Sequence, residues 1–255
     1  MKGLCVSFLS LLCGVFCGIK TGCNKSGQFL LAFTGFISDT STGHLLDILK
    51  KESVKGVFYV DLQSVKTAKD KMLLSQMASE GHDVGLEIVA ECKETKMADV
   101  KKKIAQSVSD LEKITGVGVK YATIAFGKTD GIMAAEALGL YVHRGTVDIS
   151  LGTAKKEASF FGTLKKEIEG KQREKSFIAT GIICDKADPV FWSKLFDIVR
   201  AEKYSVCSMA ECVDREGMKV KYKKGLDNAE GSSGTRRRLF VASCSVLFLL
   251  MVVSL

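Results

Sequence analysis

The chain has 255 residues and a formal charge of +8, from 37 Lys and Arg against 29 Asp and Glu. With the terminal Lys2, Glu230, Arg236, Arg237 and Arg238 set aside, the excess falls to about +5, which suits solubility and weak attraction to anionic glycans. No Lys/Arg stripe with interleaved aromatics accompanies it, and this excludes a nucleic-acid footprint.

The N-terminus reads as a secretory signal, with Lys2 as a short positive start and residues 4–16 as an apolar run. The expected cut lies between Cys17 and Gly22, so residues 1–22 are assigned to the signal. Asn24-Lys25-Ser26 follows as a glycosylation sequon, with Asn24 the acceptor.

Strand and helix signals then alternate. Residues 31–36 read as a strand ending in a tight turn, and residues 45–51 as a helix. Residues 57–60 form the next strand, and Gly81-His82-Asp83-Val84-Gly85 opens the third, which runs over 84–88. Val100, Ile104, Val108, Leu111 and Ile114 stand at helical spacing and predict a helix over 97–115. A short strand over 121–125, an Ala-rich helix over 131–138 and a strand over 140–143 come next. Residues 160–168 read as helix, 176–184 as a long strand, 189–202 as a helix with Pro189 near its first turn, and 204–208 as a closing strand. This alternation predicts βα units around a parallel sheet, in the α/β class. Periodicity by itself leaves an open sheet and a barrel as alternatives. No GxGxxG or Walker sequence follows a strand, so nucleotide binding has no support.

Residues 214–228 are polar and read as a linker, which bounds the expected domain at 23–213. Residues 239–255 are apolar and follow three Arg. A spanning helix would leave those Arg on the lumenal side, against the positive-inside tendency. A removed glycolipid-anchor signal over 229–255 fits better, with attachment at Asn228 and residues 231–238 as the spacer. Gly231-Ser232-Ser233 is the competing attachment site, and a retained membrane helix is the alternative.

Of nine cysteines, Cys5, Cys13, Cys17 and Cys244 fall in segments expected to be removed. Cys23, Cys92, Cys184, Cys207 and Cys212 remain, an odd number for a secreted chain. Cys207 and Cys212 are close enough in sequence to bridge locally, and the pairing is otherwise open. No CxxC pair suggests zinc.

The order and spacing of 31–36, 45–51, 57–60 and 81–85 resemble the polysaccharide deacetylase (NodB-homology) family, which includes the chitin deacetylases. Ala137-Leu138-Gly139, Val147-Asp148 and residues 191–206 continue the resemblance, which covers 28–213. It implies a distorted (β/α) barrel of about seven parallel strands with its site at the strand C-termini. The nearest variety is the microsporidian spore-wall deacetylase-like type. Such enzymes hold a divalent metal, such as zinc or cobalt, with one Asp and two His. The metal activates water and stabilises the oxyanion. An Asp serves as base, an Arg orients it, and a late His acts as general acid.

On the positions this resemblance aligns, Thr34 replaces the base and Gly35 the metal-binding Asp. Glu87 and Glu91 replace the two metal-binding His, Thr123 the Arg, and Cys184 the general acid. Gly145 stands at an aromatic groove position, and Asp148 is retained. A threonine hydroxyl cannot accept a proton at neutral pH, and glycine offers no ligand. The expectation is therefore a catalytically inactive, deacetylase-like surface protein without a bound cofactor. Its partners would be a cell-wall polysaccharide such as chitin and, through a lipid anchor, the membrane at the outer face of the cell or spore. The alternative is an active deacetylase with a rebuilt site, using Glu87, Glu91 and either Asp39 or Asp148. A third reading makes the barrel a platform for an adhesin or receptor. Cys184 would serve as a nucleophile only with a His beside it, and His143, ending a strand, is the one candidate. The plain alternative is a buried structural thiol.

Overall fold

The computed structural model describes residues 19–35, 39–89, 96–124, 129–149, 154–182 and 189–213. The signal expected over 1–22 falls largely outside them. So do the linker, the anchor signal, and Glu91, Cys92, Cys184 and Asn228. Among the described residues no helix is long and apolar enough to cross a membrane.

In chain order the elements are β1 (Gln28–Thr34), α1 (Asp39–Lys51), β2 (Val57–Val60), α2 (Ala68–Ser79), β3 (Asp83–Ile88), α3 (Met97–Thr115), β4 (Tyr121–Ile124) and α4 (Thr129–Glu136). Then follow β5 (Tyr141–Val142), β6 (Val147–Asp148), α5 (Ala154–Ile168), β7 (Phe177–Ile182), α6 (Pro189–Ala201), β8 (Ser205–Cys207) and α7 (Met209–Val213).

Every strand pair is parallel. Seven strands follow one path, β5-β4-β3-β2-β1-β7-β6, and β8 pairs β1 beside it. One edge of β1 is shared: β8 takes Gln28–Leu30, while β2 takes Ala32 and Phe33. The path curls into a half-barrel, the expected distorted (β/α) barrel. Its ends, β5 and β6, are joined by the short crossing through Arg144 and Gly145. There the Arg144 amide donates to the Lys20 carbonyl at 2.9 Å and the Thr146 amide to the Ile178 carbonyl at 2.8 Å.

Strand side chains alternate between two faces, and here both faces are buried, so the strands read as continuous apolar runs. Phe29, Leu31 and Phe33 of β1 pack outward into the main core with Leu45, Leu49, Trp192 and Phe196 of the helices. Leu30 and Ala32 turn inward, into a smaller core with Val57, Tyr59, Tyr121 and Ile178. Gly85 makes room inside the barrel: a Cβ there would lie 2.7 Å from the Tyr59 ring. The Tyr59 hydroxyl meets the His143 ring, 2.8 Å from Nδ1.

Several boundaries shift from the sequence reading. The first strand begins earlier, at Gln28, and its helix at Asp39, so His44 sits within α1 rather than opening it. Helices α2 and α7 were not anticipated. α2 starts on a capping box, with Thr67 accepting the Asp70 amide and the Asp70 side chain accepting the Thr67 amide.

The local Cys207–Cys212 bridge is overturned. Cys212 pairs with Cys23, with Cα atoms 4.4 Å apart, and Cys207 is free and buried. The reason is the direction of the chain. Cys207 ends β8 facing the inner core, whereas α7 carries Cys212 back beside the segment entering β1, where the Asn24 amide donates to the Cys212 carbonyl at 2.8 Å. Burial, helped by the charge of Glu211, pushes the Cys207 thiol up to about 12.

Candidate functional site

A cavity of about 390 Å³ opens at the C-terminal ends of the strands. Thr34, Glu87, Thr123, Arg144, Gly145, Asp148 and Thr180 line it, with Ile124, Val147 and Ile182 supplying apolar surface. Strand register sets this ring. Glu87 stands opposite Thr123, Thr34 opposite Ile182, and Asp148 opposite Thr180. Six residues singled out in the sequence therefore converge: Thr34, Gly35, Glu87, Thr123, Gly145 and Asp148. Glu91, Cys184 and the Asn228 attachment residue lie outside the described residues. Asn24 is exposed at the other end of the barrel, with its side-chain amide donating to the Val213 carbonyl.

Glu87 is half-buried, and its Oε2 accepts the Gly35 amide at 3.1 Å. Strand β2, which lies between β1 and β3, makes this possible by stopping at Val60, level with Leu86. The Glu87 side chain reaches over the end of that strand to Gly35. Burial raises the carboxyl above its ordinary range, the Gly35 amide partly restrains it, and the negative charge of Asp61 raises it further.

Gly35 has φ 100°, a conformation that favours glycine. Thr123 spends its hydroxyl on the His143 carbonyl at 3.1 Å. At Gly145 a Cβ would fall 1.7 Å from Thr180 Oγ1 and 2.6 Å from Thr180 Cβ. The aromatic side chain of the family pattern has no room there, because Thr180 fills its place.

His143 does not stand at the rim as a partner for Cys184. It is buried within the barrel against Tyr59, and burial lowers it to about 3. Such a ring is neutral and already hydrogen-bonded. His82 lies at the far end of β3, as expected, where its Nδ1 accepts the Gly56 amide at 3.2 Å.

The donors that the described residues bring to the mouth do not fit a divalent metal. Gly35 brings no side chain, Thr34 and Thr123 bring neutral hydroxyls, and the Glu87 carboxylate is turned to a backbone amide. Among the described residues, the one group of three or more His, Cys, Asp or Glu with converging ligand atoms is Cys23, Cys207 and Cys212.

Asp61, Arg144, Thr146, Thr180 and Ile182 were not read as site residues. Asp61 follows β2 directly and Arg144 lies just past β5, so the rule that barrel sites gather at strand C-termini would have found both.

The molecule is a parallel half-barrel with its cavity at the strand C-termini, lined by hydroxyls and carboxylates. Residues 34–143 match the family model described as Polysaccharide deacetylase. The fold is similar to the chitin deacetylase of Colletotrichum lindemuthianum, with 19% identity and a TM-score of 0.65, over 77% of this chain and 91% of that one. A family 4 carbohydrate esterase from Bacillus anthracis is 20% identical with a TM-score of 0.62, over 81% of this chain and 92% of that one. A family 4 pseudoenzyme from Bacillus anthracis is 15% identical with a TM-score of 0.57, over 74% of this chain and 66% of that one. At these identities the likeness is one of fold. No curated protein sequence matches the chain.

Proposed function

We propose that the protein is a catalytically inactive relative of the chitin and polysaccharide deacetylases, held at the cell surface, where it contacts wall glycan rather than deacetylating it. The observation that carries this reading is the Gly35–Glu87 hydrogen bond. Where the family pattern has a metal-binding Asp and His, this chain has a backbone amide and a carboxylate that satisfy one another. The catalytic base position is a threonine, and the base-orienting position is a threonine committed to a main-chain carbonyl. The cavity itself is retained, with hydroxyls and apolar side chains of the kind that hold saccharides. A solved pseudoenzyme with a similar fold gives precedent for losing chemistry while keeping the scaffold. The glycolipid anchor, the glycan at Asn24 and the kinship with microsporidian spore-wall proteins belong to the same proposal. The anchor and the glycan rest on sequence signals at the two ends, and the kinship rests on the resemblance over residues 28–213.

A second reading, an active deacetylase with a rebuilt Glu-based site, has Glu87 in the cavity in its favour. Acetate release from N-acetylated chitooligosaccharides, measured with and without added Zn²⁺ or Co²⁺, separates the two. The inactive reading expects no release above the uncatalysed rate and no stoichiometric metal after dialysis. Sustained turnover, lost in Glu87→Ala, would establish the rebuilt enzyme instead.

A further inference from the structure

The cavity carries a feature that the loss of chemistry does not explain. Glu87 is a half-buried carboxylate lining the cavity, and the negative charge of Asp61 acts on it. Taking a carboxylate out of water without a compensating charge is costly. Among the described residues it receives one hydrogen bond, from the Gly35 amide on Oε2. Arg144 lines the same cavity, but from the β5–β6 crossing, two strands away from β3.

We propose that this cavity takes a protonated amino sugar, with the ammonium of an unacetylated hexosamine seated against Glu87. The proposal rests on the glycan-contacting reading above and names its ligand class. An ammonium group has three donors and no acceptor. Glu87 offers it a charged acceptor, and the hydroxyls of Thr34 and Thr180 line the same cavity. The negative charge of Asp61, which acts on Glu87, adds attraction for a cation there. A divalent metal asks for more, namely several anionic or carbonyl oxygens converging on one point, and the described residues do not gather them there. Ile182, at the lip, is 57% exposed and gives the carbon face of a sugar ring an apolar surface. The cavity, at about 390 Å³, is of the size that holds a small ligand. An acetamide is neutral and leaves Glu87 uncompensated, so the acetylated sugar is the weaker ligand. The chain as a whole is positive, at +8, so general electrostatics repel a cationic glycan and any preference for it must be local.

The test is calorimetric titration of the full-length chain, solubilised in detergent, with a glucosamine hexamer and with the N-acetylglucosamine hexamer. It is run at about pH 6.5, where an amine is largely protonated. Charge-assisted hydrogen bonds predict about tenfold or greater preference for the amino hexamer. Glu87→Gln keeps an oxygen acceptor for the Gly35 amide and removes the charge. It is expected to abolish the preference while leaving the affinity for the acetylated hexamer within about twofold. Equal or tighter binding of the acetylated hexamer would overturn the proposal and leave the glycan-contacting reading standing. Absence of binding by either hexamer would overturn both. A preference that survives Glu87→Gln would place the cation elsewhere and overturn the proposal, as would stoichiometric Ca²⁺ binding that excludes the sugar.

Discussion

The Gly35 amide and the Glu87 carboxylate meet at 3.1 Å over the end of a strand that separates their own two strands. A two-residue difference in strand length would break the arrangement, because a longer β2 would stand between them. The pair also bears on placing an aspartate at this position. Gly35 holds φ 100°, and an Asp there would be strained by about 1–3 kcal/mol. Gly35→Asp is expected to lower stability by that amount in urea unfolding and to gain no stoichiometric Zn²⁺ after dialysis.

Acid should weaken the fold through its buried histidines. His82 is lowered to about 4 by burial, then by the charge of Lys55, against a smaller opposing effect of Glu80. Its neutral ring accepts the Gly56 amide, which a protonated ring could not do. Unfolded His titrates near 6.5. The contribution of the neutral ring is therefore complete above about pH 6.5 and is lost as pH falls toward about 4. His143, lowered to about 3 by burial, extends the decline further down. Asp83 and Glu87, raised mainly by burial, act in the opposite direction. Denaturation midpoints between pH 7.5 and 4 should fall with acid. His82→Asn, which keeps an acceptor for Gly56, should flatten that slope, and Asp83→Asn should steepen it.

The sulfur cluster makes a separate expectation. Cys23 and Cys212 are bridged across a sequence separation of 189, and Cys207 Sγ lies 4.0 Å from Cys23 Sγ. Losing the bridge in Cys212→Ser should cost about 2–5 kcal/mol. In that variant the neighbouring thiol is close enough to take over, so peptide mapping under oxidising conditions should find Cys23 joined to Cys207. In the unaltered protein Cys207, buried and pushed up to about 12, should resist alkylation until the fold opens.

Thr180 and Gly145 form a matched pair. A Cβ at residue 145 would meet Thr180 Oγ1 at 1.7 Å, so Gly145→Ala is expected to destabilise by about 1–3 kcal/mol. Thr180→Gly should relieve much of that cost in the double variant, and non-additivity in a double-mutant cycle is the readout.

The βα alternation was legible wherever the periodicity was long or the apolar run unbroken. The helix over 97–115 and the strand over 57–60 were read to the residue. Helix α2 escaped notice because only Leu73, Leu74 and Met77 are buried on it, too few to mark a stripe among its lysines and serines. β6 is two residues long, below what an alternation pattern can reveal.

The site was legible in its losses more than in its contents. Thr34, Gly35, Glu87 and Thr123 could be placed because each sits at a fixed distance from a recognisable strand, and side-chain type alone says what a residue can no longer do. Asp61, Arg144 and Thr180 could not be placed that way. Arg144 and Thr180 line the cavity, and Asp61 acts on Glu87 by charge, because pairings such as Thr34 with Ile182 and Asp148 with Thr180 bring together strands far apart in the chain. The order of residues by itself determined the class of fold and, through the family resemblance, which side chains stand at that family's site positions, because apolar period and side-chain type are local properties. Only the tertiary structure decided that Glu87 turns to a backbone amide, that His143 is sealed inside the barrel, and that Cys212 reaches Cys23. Each of those depends on where β2 stops, how the sheet curls and which way α7 returns, and these follow from packing distant segments together.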